Sequence, residues 1–216
     1  MILRLFLTLF LVLEAQAHFP VFLKKDPSLS IPYILNRPYE KSIAIYTHFE
    51  SIGDIDVYQF SIDENDLKKG DIRILIGTLV PACEPLKELL ISWALVGPKQ
   101  KMLGDLDDVS ILEKIEYTKE KGIFVIHNRV QGKVWHEPYT SHYYFYQKRQ
   151  VLDLNKVGDY KIFVWSSSGQ KGDYVFEFGE KEMWSLGDIF YTLWVYPKLL
   201  FEAEIETENC KTSDMN

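Results

Sequence analysis

Histidine side chains are the clearest candidates for chemistry in this sequence, and the first of them occupies an unusual position. Residues 1–17 combine a short basic start, an apolar run over 5–13 and a small-x-small ending at Ala17. This pattern is typical of a secretory signal peptide, and the run is too short to span a bilayer as a helix. Cleavage after Ala17 would make His18 the first residue, with a free α-amine and an imidazole on the same residue.

An amine and an imidazole on one residue form a chelate that suits Cu(II). A second imidazole would complete a histidine brace, an arrangement that resembles the copper site of lytic polysaccharide monooxygenases, which are also β-sandwiches. The sequence therefore offers copper as a cofactor, held by His18 and one of His48, His127, His136 and His142. The alternative is that His18 follows the signal peptide by accident and that the other histidines are ordinary surface or strand residues.

Aromatic residues concentrate between positions 135 and 146 and form a second candidate site. Flat amphipathic rings with polar neighbours are common in ligand sites and interfaces. The predicted ligand-binding residues are Trp135, Glu137, Tyr139, Tyr143 and Tyr144. Because successive strand side chains point to opposite faces, the competing interpretation is that about half of these rings pack in the core.

Motifs of standard enzymes are not recognisable in the sequence. It contains no Gly-x-Ser-x-Gly, no Ser-x-x-Lys, no His-Glu-x-x-His and no phosphate-binding glycine loop. We therefore predict no catalytic residue and favour a non-catalytic protein. The two cysteines, Cys83 and Cys210, could form a disulfide in an exported chain. The polar surroundings of Cys210 slightly favour the alternative of two unpaired thiols.

Composition excludes one class of partner. The chain has 216 residues, of which 47% are hydrophobic and 14% aromatic, so it can bury a sizeable core. Its formal net charge is -7. A nucleic-acid partner is not expected, because phosphate binding needs a basic surface and the sequence shows no basic stripe. The same charge disfavours electrostatic docking on anionic lipid.

Strands are the elements that must position these residues. The proline-rich segment 18–41 predicts an extended N-terminal arm. Alternating strands separated by turns then predict an all-β fold, an antiparallel β-sandwich over 42–180. The last two strands, 159–165 and 173–178, are predicted to form a hairpin, and 135–140 is predicted to be a loop. The remaining predicted strands are 42–49, 55–62, 72–80, 90–96, 123–127 and 142–146, with a polar excursion over 99–121.

A C-terminal amphipathic helix is predicted over 184–201, followed by a polar tail over 202–216. Its N-cap is expected near Ser185, and Pro197 is expected to end it. Docking on the edge of the sandwich is the ordinary interpretation, and association with a membrane surface is the alternative. Asp188 and the acidic residues 202–208 count against the membrane. The apolar residues at helical spacing are Leu186, Ile189, Phe190, Leu193 and Trp194.

Two segments resemble bacterial pre-peptidase C-terminal (PPC) domains. Residues 53–61 (GDIDVYQFS) are similar to the G-D-x-D-x-Y/F-x-F strand of that family, and 158–164 followed by 172–176 is similar to its closing hairpin. The resemblance extends over 42–178. It implies a jelly-roll-like β-sandwich that accompanies secreted enzymes and acts in binding or secretion. Residues 135–140 (WHEPYT) also resemble a segment of exported bacterial and archaeal proteins.

These observations together predict an exported protein that is extracellular, periplasmic or located at the cell surface. Its expected role is non-catalytic binding of a protein or a polysaccharide ligand. The alternative is a copper-binding protein that uses the mature N-terminal His18.

Overall fold

Alternation of apolar and polar residues produces two β-sheets that pack face to face, followed by one helix. The computed structural model describes residues 18–23, 25–98, 121–137 and 142–201, with side chains through residue 195 in the final helix. The predicted all-β sandwich with a C-terminal helix is confirmed. The helix, α1, spans Leu186–Phe201. The strands of the described residues are β1 (Phe19–Phe22), β2 (Tyr33–Ile34), β3 (Ile43–Phe49), β4 (Ile55–Ile62), β5 (Ile72–Pro81), β6 (Ile91–Pro98), β7 (Lys121–Ile126), β8 (Val134–Glu137), β9 (His142–Tyr146), β10 (Gln150–Leu154), β11 (Gly158–Ser166) and β12 (Gly172–Phe178).

The N-terminal arm supplies an edge strand to each sheet. The seven-stranded sheet has the order β1-β3-β12-β5-β9-β8, with β10 also paired to β5, and the five-stranded sheet has the order β2-β4-β11-β6-β7. Both arm strands are parallel to their neighbours, β1 to β3 and β2 to β4. The edge suits the arm, because proline lacks an N–H and interrupts a ladder least at an edge.

Aromatic rings fill the core between the sheets. In β12, Tyr174, Phe176 and Phe178 all belong to this core. Phe176 stacks on Tyr58 of the opposite sheet with 4.1 Å between ring centroids. Because strand side chains alternate, the intervening residues of β12, including Glu177, lie on the outer face of the seven-stranded sheet.

The predicted hairpin between the last two strands is wrong. The structure pairs β11 with β4 and β6, whereas β12 pairs with β3 and β5 in the other sheet. The connection crosses the sandwich, and the Ser167 amide donates to the Leu90 carbonyl at 2.8 Å. Both strands turn aromatic residues towards the same core, so alternation alone cannot distinguish a hairpin within one sheet from a crossing between two.

Two smaller predictions are wrong, a third is confirmed, and a fourth falls almost entirely outside the described residues. Residues 134–137 form β8, so the loop predicted from 135 is partly a strand, and 138–140 lie outside the described residues. The helix continues through Pro197 to Phe201, so the predicted end at Pro197 is wrong. Ser185 and Asp188 cap the helix start reciprocally, as predicted. The polar excursion lies almost entirely outside the described residues.

Candidate functional site

Aromatic side chains line the outer face of the seven-stranded sheet. Strand register joins them in one row: Phe22 pairs with Tyr46, Tyr46 with Val175, Val175 with Leu79 and Leu79 with Tyr146. Residues directly opposite each other on paired strands share a face, so this row runs straight across five strands. The rings of Phe22 and Tyr46 stack with 4.9 Å between centroids.

Trp135 on β8 and Tyr144 on β9 add two more rings beside this row. Trp135 pairs with Tyr144, and its ring meets that of Tyr146 edge to face at 5.6 Å. Tyr144 is 2% exposed and forms the floor, whereas the rings of Trp135 and Tyr146 are half-buried. We call the surface formed by Phe22, Tyr46, Trp135, Tyr144 and Tyr146 the aromatic face.

The ligand-binding residues predicted from sequence divide between the two faces of the sheet. Trp135 and Tyr144 lie on the aromatic face, and Glu137 lies on the same face at the end of β8. Tyr143 points to the opposite face, where it is 46% exposed and contacts His136. Tyr139 lies outside the described residues. The structure therefore brings part of the predicted set together.

Two rings of the aromatic face come from segments that the sequence analysis did not single out. Phe22 belongs to the arm and Tyr46 to β3, more than eighty residues before Trp135. The sequence signal that could have identified Tyr46 was the alternation in β3. Because Ile45 packs into the main core, its neighbour Tyr46 must point outward. The register between distant strands, which creates the row, has no local signature.

A buried ion pair lies beside the aromatic face. Glu177 follows Val175 on the same face of β12 and is fully buried. The Nε of Arg149 donates to Glu177 Oε2 at 2.6 Å, and its Nη2 donates to Oε1. The Nε2 of His18 lies 3.2 Å from Glu177 Oε1, and its Nδ1 contacts the Ser42 hydroxyl.

Arg149 connects the ion pair to the aromatic face. Its guanidinium carbon lies 4.1 Å from the ring centroid of Tyr146. Glycine at position 77 makes room for this arrangement, because a Cβ there would lie 2.6 Å from Arg149 Cγ and 2.7 Å from Glu177 Oε2. Burial alone would raise the pKa of Glu177, but hydrogen bonds from His18 and Arg149 outweigh it and hold that pKa below its usual value.

The five histidines considered as copper ligands are not brought together. His127 directly follows β7 of the other sheet, where its Nδ1 lies 3.3 Å from the Ser92 hydroxyl oxygen. His18 lies beside Glu177, whereas His48 pairs with Asp173, four residues further along β12. Four residues of strand span about 13 Å. His136 and His142 are also distant from His18, because they lie on β8 and β9, beyond the position where β9 pairs with Pro81. Pro81 is itself four residues along β5 from Gly77, the partner of Glu177. Among the described residues, His18 therefore has no neighbouring imidazole to complete a brace.

One of those histidines lies in a cluster of potential metal ligands. Ligand atoms of Asp26, His48 and Glu50 all lie within 4.8 Å of one another. The Oδ1 of Asp26 accepts a hydrogen bond from Thr47 at 3.0 Å and lies 3.4 Å from His48 Nδ1. Its Oδ2 is buried and accepts no hydrogen bond within the structure. One imidazole and two carboxylates form a donor set suited to a divalent transition metal.

A buried carboxyl lies near this cluster, between the sheets. Asp56 is 2% exposed and accepts a hydrogen bond from the Tyr174 hydroxyl at 2.5 Å. Burial raises the pKa of Asp56 to about 8; Asp26 and Asp54 add to the rise, and the hydrogen bond from Tyr174 opposes it. Asp56 is therefore mostly protonated at neutral pH.

Cys83 is disulfide-bonded in the structure. The sequence holds one other cysteine, Cys210, which lies outside the described residues. Cys83 lies just after β5, in the connection to β6, and packs against the main core.

Replacing Arg149 tests the ion pair. We expect Arg149→Ala to lower the free energy of unfolding by about 3–5 kcal/mol, because it leaves a buried carboxylate without its main partner. Chemical denaturation followed by circular dichroism measures this loss. Arg73→Ala is the matched control, since its pair with Glu180 is exposed and is worth about 0–1 kcal/mol. Equal losses in both variants would contradict the assignment.

The raised pKa of Asp56 predicts a dependence of stability on pH. A carboxyl with a pKa of about 8 in the folded protein and an ordinary pKa of 3.8 favours folding while protonated, so its contribution is lost as the pH rises from about 4 to 8. Asp56→Asn should remove this part of the decline. Denaturation at a series of pH values, with a chelator present, measures the difference between the two proteins. Parallel profiles would show that Asp56 titrates normally.

Comparison with known proteins assigns no family to this arrangement. No protein-family model matches the chain, and no curated protein matches it. The resemblance to PPC domains therefore stays a prediction, and the function has to be argued from the site itself.

Proposed function

We propose that this chain is an exported, non-catalytic protein that binds a polysaccharide on its aromatic face. The observation that carries the proposal is the register that places rings from three strands in one row on the outer face of the sheet, with the ring of Trp135 from a fourth strand packed against the end of that row. Phe22 and Tyr46 stand at one end of this row, and Tyr146 and Trp135 stand at the other. Tyr46 and Tyr146 are three strands apart, which is about 14 Å.

The chemistry of this surface suits sugar rings. Pyranose rings present apolar C–H faces that pack on aromatic rings, and their hydroxyl groups need polar partners at the edge. Between the two groups of rings, Val175 and Leu79 provide an apolar floor. Arg149, fixed by Glu177 and stacked on Tyr146, places a cationic hydrogen-bond donor beside it. Rigid positioning of such groups lowers the entropy lost on binding.

Export is part of the proposal and is supported by the residues on both sides of the predicted cleavage site. Residues 1–17 have the pattern of a signal peptide. His18 is already built into the fold through Glu177 and Ser42. Cleavage after Ala17 would therefore leave every described contact of the sandwich in place, and the mature protein would act outside the cytoplasm.

A PPC-like identity of the sandwich is also proposed. The segments that resemble the family form β4, β11 and β12, which lie inside the two sheets and not at their edges. The glycines that begin these segments, Gly53, Gly158 and Gly172, all have positive φ. This supports a shared backbone requirement for glycine before the aspartate. The crossing between β11 and β12 differs from the hairpin expected from the resemblance.

Binding to insoluble polysaccharides tests the proposed function. We expect the protein to be retained by at least one of cellulose, chitin or peptidoglycan in a pull-down. Tyr146→Ala should weaken that retention about tenfold or more, because Tyr146 contacts both Trp135 and Arg149 and an anchoring ring of a binding surface contributes more than about 1.4 kcal/mol.

Tyr143→Ala is the matched control for this experiment. Tyr143 is an exposed tyrosine of the same strand on the opposite face, so its removal should leave retention unchanged. Thermal unfolding of both variants separates lost binding from lost folding. Failure of all three polysaccharides to retain the folded protein, or equal losses in both variants, would contradict the proposal.

A second candidate function, metal binding, is favoured by the cluster of Asp26, His48 and Glu50. The specific observation is the buried Oδ2 of Asp26, an acceptor without a hydrogen bond that a cation would satisfy. Three donors within 4.8 Å of one another can share one ion at coordination distances of about 2.0–2.2 Å. This site replaces the N-terminal His18 as the best-supported position for copper or zinc.

Isothermal titration with Cu(II) and Zn(II) distinguishes the two positions. We expect binding of one ion per chain that is lost in His48→Ala and retained in His18→Ala. The reverse result would support the N-terminal histidine brace and contradict the cluster. Binding that survives both substitutions would contradict both sites.

A further inference from the structure

The helix α1 uses one side to dock on the sandwich. Val195 is 5% exposed and Thr192 is 7% exposed on this side. The ring of Tyr191 lies 5.2 Å from that of Phe19, at the start of β1. Lys41 donates to Asp188 at 2.7 Å. The orientation of the helix against the sheet edge is therefore set by contacts at several of its turns.

The opposite side of the helix is apolar and largely exposed over the turns up to residue 195. Leu186, Phe190, Leu193 and Trp194 are 75%, 72%, 62% and 81% exposed. Their spacing of four, three and one residues places them on a single helical face. Large apolar side chains grouped in this way usually mark an interaction surface. We call these four residues the exposed stripe.

Asp188, one of the charges that counted against a membrane, is not on this stripe. Asp188 accepts hydrogen bonds from Lys41 and from the Ser185 amide, which keeps its carboxylate at the docked side and at the capped end of the helix. None of the four stripe residues is charged. The sequence-based objection from Asp188 therefore does not apply to the surface that α1 presents.

Two partners could cover the stripe, a second copy of this chain or a lipid bilayer. Four large side chains offer roughly 500 Å², whereas a stable protein interface buries about 800 Å² on each partner. A bilayer interface has no such minimum, because each apolar side chain is buried independently among the lipids. Tryptophan and phenylalanine are also typical of helices that lie in that interface.

The helix lies against the edge of the sandwich that β1 forms, because Phe19 at the start of β1 contacts it. No helix of the described residues is long and apolar enough to cross a bilayer.

We propose that α1 lies in the plane of a lipid bilayer surface, with Leu186, Phe190, Leu193 and Trp194 inserted between the lipids. The attraction is apolar, and the net charge of -7 would repel anionic lipid. The preferred surface is therefore zwitterionic lipid, which has no net charge. Because the contact does not depend on charge, raised salt leaves it intact.

Flotation of the full chain with phosphatidylcholine vesicles tests this proposal. We expect the wild-type protein to float with the vesicles at both low and high salt. The double variant Phe190→Asp, Trp194→Asp should lower the partition coefficient at least tenfold. Both residues are exposed, so the variant is expected to fold, and circular dichroism verifies that it does.

The matched control is the double variant Ile52→Asp, Val130→Asp, in which two residues that are each 77% exposed receive the same added charge elsewhere on the surface. It should bind vesicles like the wild type. Both variants keep the N-terminal segment, so any contribution from it cancels in the comparison. Equal flotation of the two variants, or no flotation of the wild type, would overturn the proposal. A lipid-free dimer that the stripe variant dissociates would also overturn it, in favour of a second copy of the chain.

Discussion

The ion pair of Glu177 with Arg149 is the constraint on which the outer face of the seven-stranded sheet depends. A fully buried carboxylate at this position would be very unfavourable without a matched cation. Arg149 satisfies it from the segment before β10, and His18 adds a contact from the start of the arm. The pair therefore ties three distant parts of the chain to the middle of one sheet. Gly77 is part of the same constraint, because any side chain there would collide with the methylene groups of Arg149 and with the carboxylate of Glu177.

This constraint also orders the surface proposed to bind a ligand. The guanidinium that neutralises Glu177 lies over the ring of Tyr146, which in turn meets Trp135. The position of the aromatic face is therefore coupled to a buried electrostatic pair and does not rest on aromatic packing alone. The metal-ligand cluster and α1 lie apart from this pair, one near the end of β3 and the other at the edge formed by β1.

Much of the fold could be predicted from local patterns, whereas the site could not. Alternation located β4, β5 and β6 nearly to the residue, and the spacing of Leu186, Phe190 and Trp194 located α1. Alternation cannot tell which sheet a strand joins, which is why the pairing of β11 with β12 was predicted wrongly. The site depends on register between strands that are far apart in sequence. Arg149 and Glu177 are separated by 28 residues, and neither has a neighbour in sequence that identifies the other.

The central claim is that the aromatic face of the seven-stranded sheet is the binding surface. Hydrogen–deuterium exchange, measured with and without soluble fragments of a polysaccharide that retains the protein, tests it most directly. The account predicts slower exchange in β1, β3, β8 and β9, whose rings form that face, and unchanged exchange in β6 and β7 of the other sheet. Protection confined to the five-stranded sheet, or to neither sheet, would contradict the claim.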